Sequence, residues 1–198
     1  MSKKILFISD THGDNTVYKE IIDCEKADLV VHAGDYHDFH FSSPHTIVEL
    51  DARVDHSILG NHGLGIKKFS KSSSLPSNEE LMEEYIGDHK IIKFDYLTIL
   101  LTHIFDFSPR SMNGNIGNVE AFRTLWNEKW NKIIEENEVN LIVQGHTHVS
   151  EIKKYNGIDC INPGSVTMPK YPNETGTYII GTLDNNHISF EVKNVKHK

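Results

Sequence analysis

The apolar positions of this 198-residue chain fall into short runs, and most runs end in a polar turn containing glycine. Lys4 to Ser9 holds the uninterrupted Ile5-Leu6-Phe7-Ile8, which reads as a strand buried on both faces. Val17, Ile21 and Ile22, with Cys24, recur at helical spacing, and Leu29 to Ala33 is a second buried strand. Strand, helix and strand within about thirty residues make a βαβ unit with parallel strands and a right-handed crossover. Downstream, the pattern predicts a short helical stretch over Thr46 to Leu50 and a third strand over Val54 to Leu59. A polar loop follows over Lys67 to Ser74, then a helix opened by Ser77-Asn78-Glu79-Glu80 and running through Tyr85.

Lys90 to Phe94 and Leu97 to Leu101 read as hairpin arms around Asp95-Tyr96. After a long loop from Ile104 to Asn118, the residues Val119, Phe122, Leu125, Trp126, Trp130, Ile133 and Ile134 mark an amphipathic helix. Its aromatic stripe is read as core. Leu141 to Gln144 is the next strand. Asn156-Gly157 turns a hairpin between Ile152–Tyr155 and Ile158–Ile161, and Thr177 to Val192 holds two strands around Asp184-Asn185-Asn186. No repeat or linker divides the chain, so one α/β domain over residues 1–198 is expected.

Composition narrows the function classes. Twenty basic against twenty-eight acidic residues give a formal charge of −8, which argues against a large nucleic-acid interface held by bulk electrostatics. The two cysteines, Cys24 and Cys160, form no Cys-x-x-Cys and read as free thiols of a reducing compartment. No apolar run approaches a membrane span, and Ile5 to Ile8 is too short for the core of a signal peptide, so the cytoplasm is the expected location.

The chemistry stands where strands should end, and in open α/β sheets ligands collect beyond the carboxyl ends of the strands. In chain order these positions carry Asp10 and His12, Asp35, Asn61 and His62, His103, then His146 and His148 in Gly145-His146-Thr147-His148. Gly145 is read as permitting the turn that lets the last two converge. Oxygen and imidazole donors without thiolate suit Mn, Fe, Zn, Ni or Co. Seven donors, leaving His62 aside, exceed what one catalytic zinc with an open position takes, and suffice for two ions if a carboxylate bridges. Asp35, central in the order, is the natural bridge.

Asp-x-His, Gly-Asp, Gly-Asn-His, a lone His and Gly-His-x-His, in that order, resemble the calcineurin-like metallophosphoesterase superfamily. Asn162-Pro163-Gly164-Ser165-Val166 after the last motif is similar to the small bacterial and archaeal phosphodiesterase branch, of which the eukaryotic retromer subunit is a relative of the same fold. The resemblance implies a two-sheet β-sandwich flanked by helices, with residues 104–118 as an inserted loop. It assigns Asp10, His12, Asp35 and His148 to one divalent ion and Asp35, Asn61, His103 and His146 to another, manganese first among the candidates. A metal-activated hydroxide would attack a small phosphate ester, a diester favoured and nucleotide-like substrates among the options, with His62 protonating the leaving alkoxide. Two divalent cations against two carboxylates and one hydroxide leave about one net positive charge, which suits an anionic substrate. The alternatives are a non-catalytic metal-binding scaffold and a nucleotide-binding regulatory module of the same fold. Oligomeric assembly is left open.

Two departures from the family pattern stand out. Gly63 replaces the acid that usually follows the Asn-His pair, and Asp38 is a candidate to stand in for it. Ile104 and a long loop carrying Arg110 follow His103, where small members have His-Gly and a shorter connection. The remaining polar residues have plainer readings. Asp14 is a helix N-terminal acid, His32 is packed within its strand, and Asn162 and Ser165 support the site. His37, His40, His45 and His56 are either a substrate rim or solvated, and Arg110 either a phosphate clamp or a solvated loop residue.

Overall fold

A computed structural model of the chain describes residues 2–38, 46–69, 82–83, 86–106 and 119–196. Its described elements are β1 (Lys3–Ile8), α1 (Thr16–Glu25), β2 (Leu29–His32), β3 (His56–Ser57), α2 (Gly60–Phe69), β4 (His89–Phe94) and β5 (Leu97–Thr102). There follow α3 (Val119–Asn137), β6 (Leu141–Val143), β7 (Ser150–Tyr155), β8 (Ile158–Pro163), β9 (Thr177–Asp184) and β10 (His187–Asn194). The strands form two five-stranded sheets, β10-β9-β1-β2-β3 and β4-β5-β6-β8-β7. Each sheet is parallel at its centre, β1 with β2 and β5 with β6 and β8, and gains antiparallel strands at its edge.

The period-two alternation of the central strands builds the layers. Ile5, Phe7, Ile99, Leu101, Leu141 and Val143 enter the core between the sheets. Their neighbours face outward: Leu6 and Ile8 meet Tyr18, Ile21 and Ile22 of α1, while Leu100 and Ile142 meet Phe122, Trp126, Trp130 and Ile134 of α3. Strands covered on both faces by such layers read as continuous apolar runs, which is why they are legible in the sequence. The expected sandwich of two sheets flanked by helices is the observed fold. Leu125 is the exception in the stripe of α3, 48% exposed. Among the described residues no helix is long and apolar enough to cross a membrane.

Three local expectations are corrected. Thr46 to Leu50 is not helical: Thr46 pairs with Asp38 in an isolated antiparallel bridge, the Val48 amide donates to His37 Nδ1, and the Glu49 carbonyl accepts from Asn15. The third strand shrinks to His56–Ser57, because the Asp55 carboxylate takes the Val30 amide and Val54 closes a turn onto Asp51. Gly60 to Gly63 is no turn but the start of α2, which also takes in the beginning of the expected Lys67 to Ser74 loop. Of the helix opening at Ser77, Met82 and Glu83 are described and helical; its start, most of the Ile104 to Asn118 loop, and His40, His45 and Arg110 lie outside the described residues.

Candidate metal centre

All eight residues singled out at the strand ends lie in one cluster between the two sheets. The first sheet supplies Asp10 and His12 after β1 and Asp35 after β2. Asn61 and His62 come from the first turn of α2, and the second sheet supplies His103 after β5 and His146 and His148 after β6. Close backbone approach makes this convergence possible. The chain bends here as expected, at His146 and Thr147, and the positive φ falls on His146 rather than on Gly145. A Cβ there would stand 2.2 Å from Ser9 Oγ and 2.8 Å from Asp10 Oδ2, so glycine lets the loop after β6 lie against the loop after β1. The His146 amide then donates to both Asp10 oxygens, at 3.2 and 3.1 Å.

The side chains sort into three groups that could hold an ion: Asp10, His12 and His148; Asp35, His103 and His146; and His12, Asp38 and His62, which shares His12 with the first. Asn61 Oδ1 joins the second group, 3.0 Å from His103 Nε2 and 2.8 Å from His146 Nδ1. Asp10 Oδ1 lies 3.4 Å from His148 Nε2, 3.9 Å from His12 Nε2 and 3.8 Å from His103 Nε2, so it touches the first two groups. Asp35 Oδ2 is 3.0 Å from His103 Nε2, and its Oδ1 accepts the His62 amide at 2.8 Å. Both carboxylates are buried, Asp10 completely and Asp35 to 1% exposure.

The donor set fits divalent cations on chemical grounds. A carbonyl only accepts, so His103 Nδ1 donates to Ala33 O at 2.6 Å and His148 Nδ1 donates to Met168 O at 2.6 Å. Each ring therefore turns Nε2 inward. His103 Nε2 faces the oxygens of Asp35 and Asn61, and His148 Nε2 faces His12 Nε2 at 3.0 Å. Nitrogen and oxygen acceptors gathered this closely in a buried space call for positive charge between them, either protons on the rings or a bound cation. Imidazole and carboxylate donors of this kind take Mn, Fe, Co, Ni or Zn.

The titration behaviour carries the same message. Burial lowers the basicity of His103, but the charge and hydrogen bond of Asp35 outweigh it and raise the ring to about 9. Burial and the neighbouring His103 charge push His146 down to about 4. Burial alone would raise the two carboxylates. The His148 hydrogen bond to Asp10 and the His103 charge beside Asp35 reverse that and hold both below the ordinary aspartate value. Among the described residues, every ion-pair partner of Asp10 and Asp35 is a histidine.

The supporting residues are of two kinds. Asn162 holds the His-x-His loop through Gly145 O and Thr147 Oγ1, and Ser165 Oγ donates to Asp10 O, as their sequence reading anticipates. Asp14 accepts the Thr16 amide at the head of α1, and His32 is fully buried between the Gly34 amide and Thr11 Oγ1. Burial drives His32 down to about 4, which keeps it neutral. Asp88 went unread: its carboxylate accepts the Leu59 and Gly60 amides and so fixes the start of α2. Gln144 also went unread, and binds the Phe105 and Asp106 amides just past His103. Neither residue carries a motif, and each acts across more than 25 positions of sequence.

Comparison with known proteins agrees with this geometry. A probable metallophosphoesterase of Mycoplasma pneumoniae is 23% identical over 191 residues, covering 94% of this chain and 93% of that protein. A predicted phosphoesterase from Streptococcus pneumoniae TIGR4 shares the fold with a TM-score of 0.63 at 20% identity, over 100% of this chain and 92% of that one. An archaeal phosphodiesterase shares it with a TM-score of 0.51 at 20% identity, over 96% and 99% of the two chains. Residues 4–186 match the calcineurin-like phosphoesterase superfamily domain, so the sandwich and the donors gathered at its strand ends have a family: the chain belongs to the calcineurin-like phosphoesterases.

Proposed function

We propose that this chain is a phosphodiesterase dependent on two divalent ions, manganese foremost and iron, nickel, cobalt or zinc as alternatives. Asp10, His12, Asp35 and His148 would hold one ion, and Asp35, Asn61, His103 and His146 the other. The observation that supports the reading is the pair of adjoining donor groups, Asp10 with His12 and His148 and Asp35 with His103 and His146. When bound, two such ions supply Lewis acidity and an activated water for an in-line displacement at phosphorus.

The chain's own groups do the rest. Asp10 and Asp35, buried and ionised, keep the inward Nε2 atoms in place, and the Ala33 and Met168 carbonyls hold the His103 and His148 tautomers. His62 stands beside Asn61 with Nε2 3.9 Å from Asp35 Oδ2, turned toward the groups where the ester would sit. From there it gives its proton to the departing alkoxide. A site carrying about one net positive charge is neutralised by the single charge of a diester, whereas a dianionic monoester would overcompensate it. A small, nucleotide-like diester met in the cytoplasm is the substrate class. We take residues 1–198 as one such domain, with residues 104–118 as an inserted loop.

The test is hydrolysis of bis-p-nitrophenyl phosphate by chelator-stripped protein, with Mn, Ni, Co, Zn and Mg restored separately. Turnover that returns only with transition metals and is abolished by Asp35→Asn supports the reading. Tight binding of metal without turnover of any ester would instead favour a binding module of this fold.

A further inference from the structure

We propose that two copies of this chain pair through β10, edge to edge and antiparallel, with Val192 of one copy opposite Val192 of the other. The first sheet ends at β10, which pairs with β9 alone. The hairpin that forms this strand decides which of its backbone groups stay open. Asn185 and Asn186 both have positive φ, the geometry of a tight two-residue turn, and such a turn closes on a hydrogen-bonded pair, here Asp184 and His187. Ladder bonds recur at every second residue, so His187, Ser189, Glu191 and Lys193 bond to β9. Val195 keeps that parity, its amide donating to Gly176 O at 2.7 Å. The amides and carbonyls of Ile188, Phe190, Val192 and Asn194 therefore face outward. Among the described residues nothing pairs with them.

Sheet edges are ordinarily blunted by shortness, proline, bulges or lysine. Among the other edge strands, β3 has two residues, β4 carries Lys90 and Lys93, and β7 carries Lys153 and Lys154 side by side. In contrast, β10 has eight residues in unbroken register with β9, and neither proline nor glycine. Its apolar side chains also alternate onto one face, in a row that runs out at the edge. Ile188 and Phe190 pack partly buried against the core between the sheets, whereas Val192 is 40% exposed. A long, regular and partly apolar edge of this kind is built to receive another strand.

Charge selects both the occupant and the register. Two outward-facing rows can meet antiparallel only when the two-fold axis passes through a residue, and the central choices are Phe190, Glu191 and Val192. Centring on Glu191 sets its carboxylate directly against its own copy, which is repulsive. Centring on Phe190 sets Lys193 against His187 and leaves Glu191 facing Ser189, with no charge matched. Centring on Val192 sets Glu191 of each copy opposite Lys193 of the other, so opposite charges alternate around the axis. It also lays the exposed Val192 on its own copy and lets Phe190 and Asn194 exchange amide and carbonyl bonds across the pair. The strand thus complements itself, as a closed dimer requires, and the first sheets of the two copies become one continuous sheet.

The test is sedimentation velocity on the full chain from about 1 to about 300 μM. Wild type should move from the mass of one chain toward that of two as concentration rises. Val192→Pro removes an outward amide and no bond to β9, so it should stay monomeric throughout, with a melting temperature in dilute solution within about 3 °C of wild type. Glu191→Lys changes a side chain that is 69% exposed, so the fold tolerates it. It turns both facing pairs into like charges and should raise the dissociation constant about 10-fold or more. Cross-linking reads the register. Facing Cα atoms of a hydrogen-bonded pair stand about 5.5 Å apart, within disulfide reach, so Val192→Cys in a Cys24→Ser background should oxidise to a covalent dimer. Phe190→Cys in the same background should not. A wild type that remains monomeric at the highest concentration would overturn the proposal. So would a Glu191→Lys variant that associates as well as wild type, or cross-linking through position 190 in place of 192.

Discussion

The two ends of the sandwich both rely on left-handed backbone, and they use it differently. At one end the hairpins β4–β5, β7–β8 and β9–β10 turn through Asp95, Asn156-Gly157 and Asn185-Asn186, all with positive φ except Tyr96 beside Asp95. These are the residues such turns favour, and they cost little there. At the other end Asp10, His12, Asp35, His146 and His148 adopt φ between 44° and 71°. Each such residue costs about 1 kcal/mol or more relative to ordinary backbone, and the surrounding contacts must hold it. One end uses this geometry to reverse the chain, and the other uses it to turn donors toward a common point. Stability should therefore respond to changes at the hairpin end, and activity to changes at the donor end.

The largest effect expected is that of Asp35→Asn, which should remove turnover by more than about a thousandfold together with bound metal. Its melting temperature in chelator should fall, because the buried His103 loses the counter-charge of Asp35, while the protein remains folded at the assay temperature. A protein that loses turnover by unfolding would break the comparison. Asn162→Ala is the next step down. It frees the Gly145 carbonyl and Thr147 hydroxyl and should cost about 10-fold in kcat with a small loss of stability, as read by parallel rate and melting measurements.

At the hairpin end, Asn156→Ala should cost about 1 kcal/mol, a fall of about 2–4 °C in Tm, with kcat unchanged. Glu25 sharpens the contrast through pH. Burial would raise its carboxyl, but hydrogen bonds from Tyr178 and Lys193 outweigh that and hold it below the ordinary glutamate value. A carboxylate depressed in the folded state stabilises above its unfolded pKa and loses that contribution as the pH falls. Glu25→Gln should therefore melt below wild type at neutral pH, and the gap should close in acid. The smallest effect concerns the thiols. Burial pushes Cys160 up to about 12, so in the native protein a thiol reagent should titrate only the exposed Cys24, and both after denaturation.

The legibility of the two ends follows from the same physics. The central strands announce themselves as apolar runs because layers cover them on both faces, and Asn156-Gly157 announces its hairpin through residue type. The donors are legible because each follows a strand. Their left-handed backbone is not, since aspartate and histidine adopt it only when tertiary contacts impose it. Helix α2 escapes the sequence because Gly60, Gly63 and Gly65 depress its helical signal, and its start is fixed by Asp88 from 28 residues away. Asp38 is legible as a candidate acid, but the Thr46 bridge that sets its Oδ1 3.4 Å from His62 Nδ1 is not.

The most direct test of the central claim is anomalous diffraction from crystals of the manganese-loaded protein. The account predicts two peaks per chain, one among Asp10, His12 and His148 and one among Asn61, His103 and His146, with Asp35 touching both. A single peak, or manganese held elsewhere with these side chains hydrogen-bonded only to one another, would contradict it.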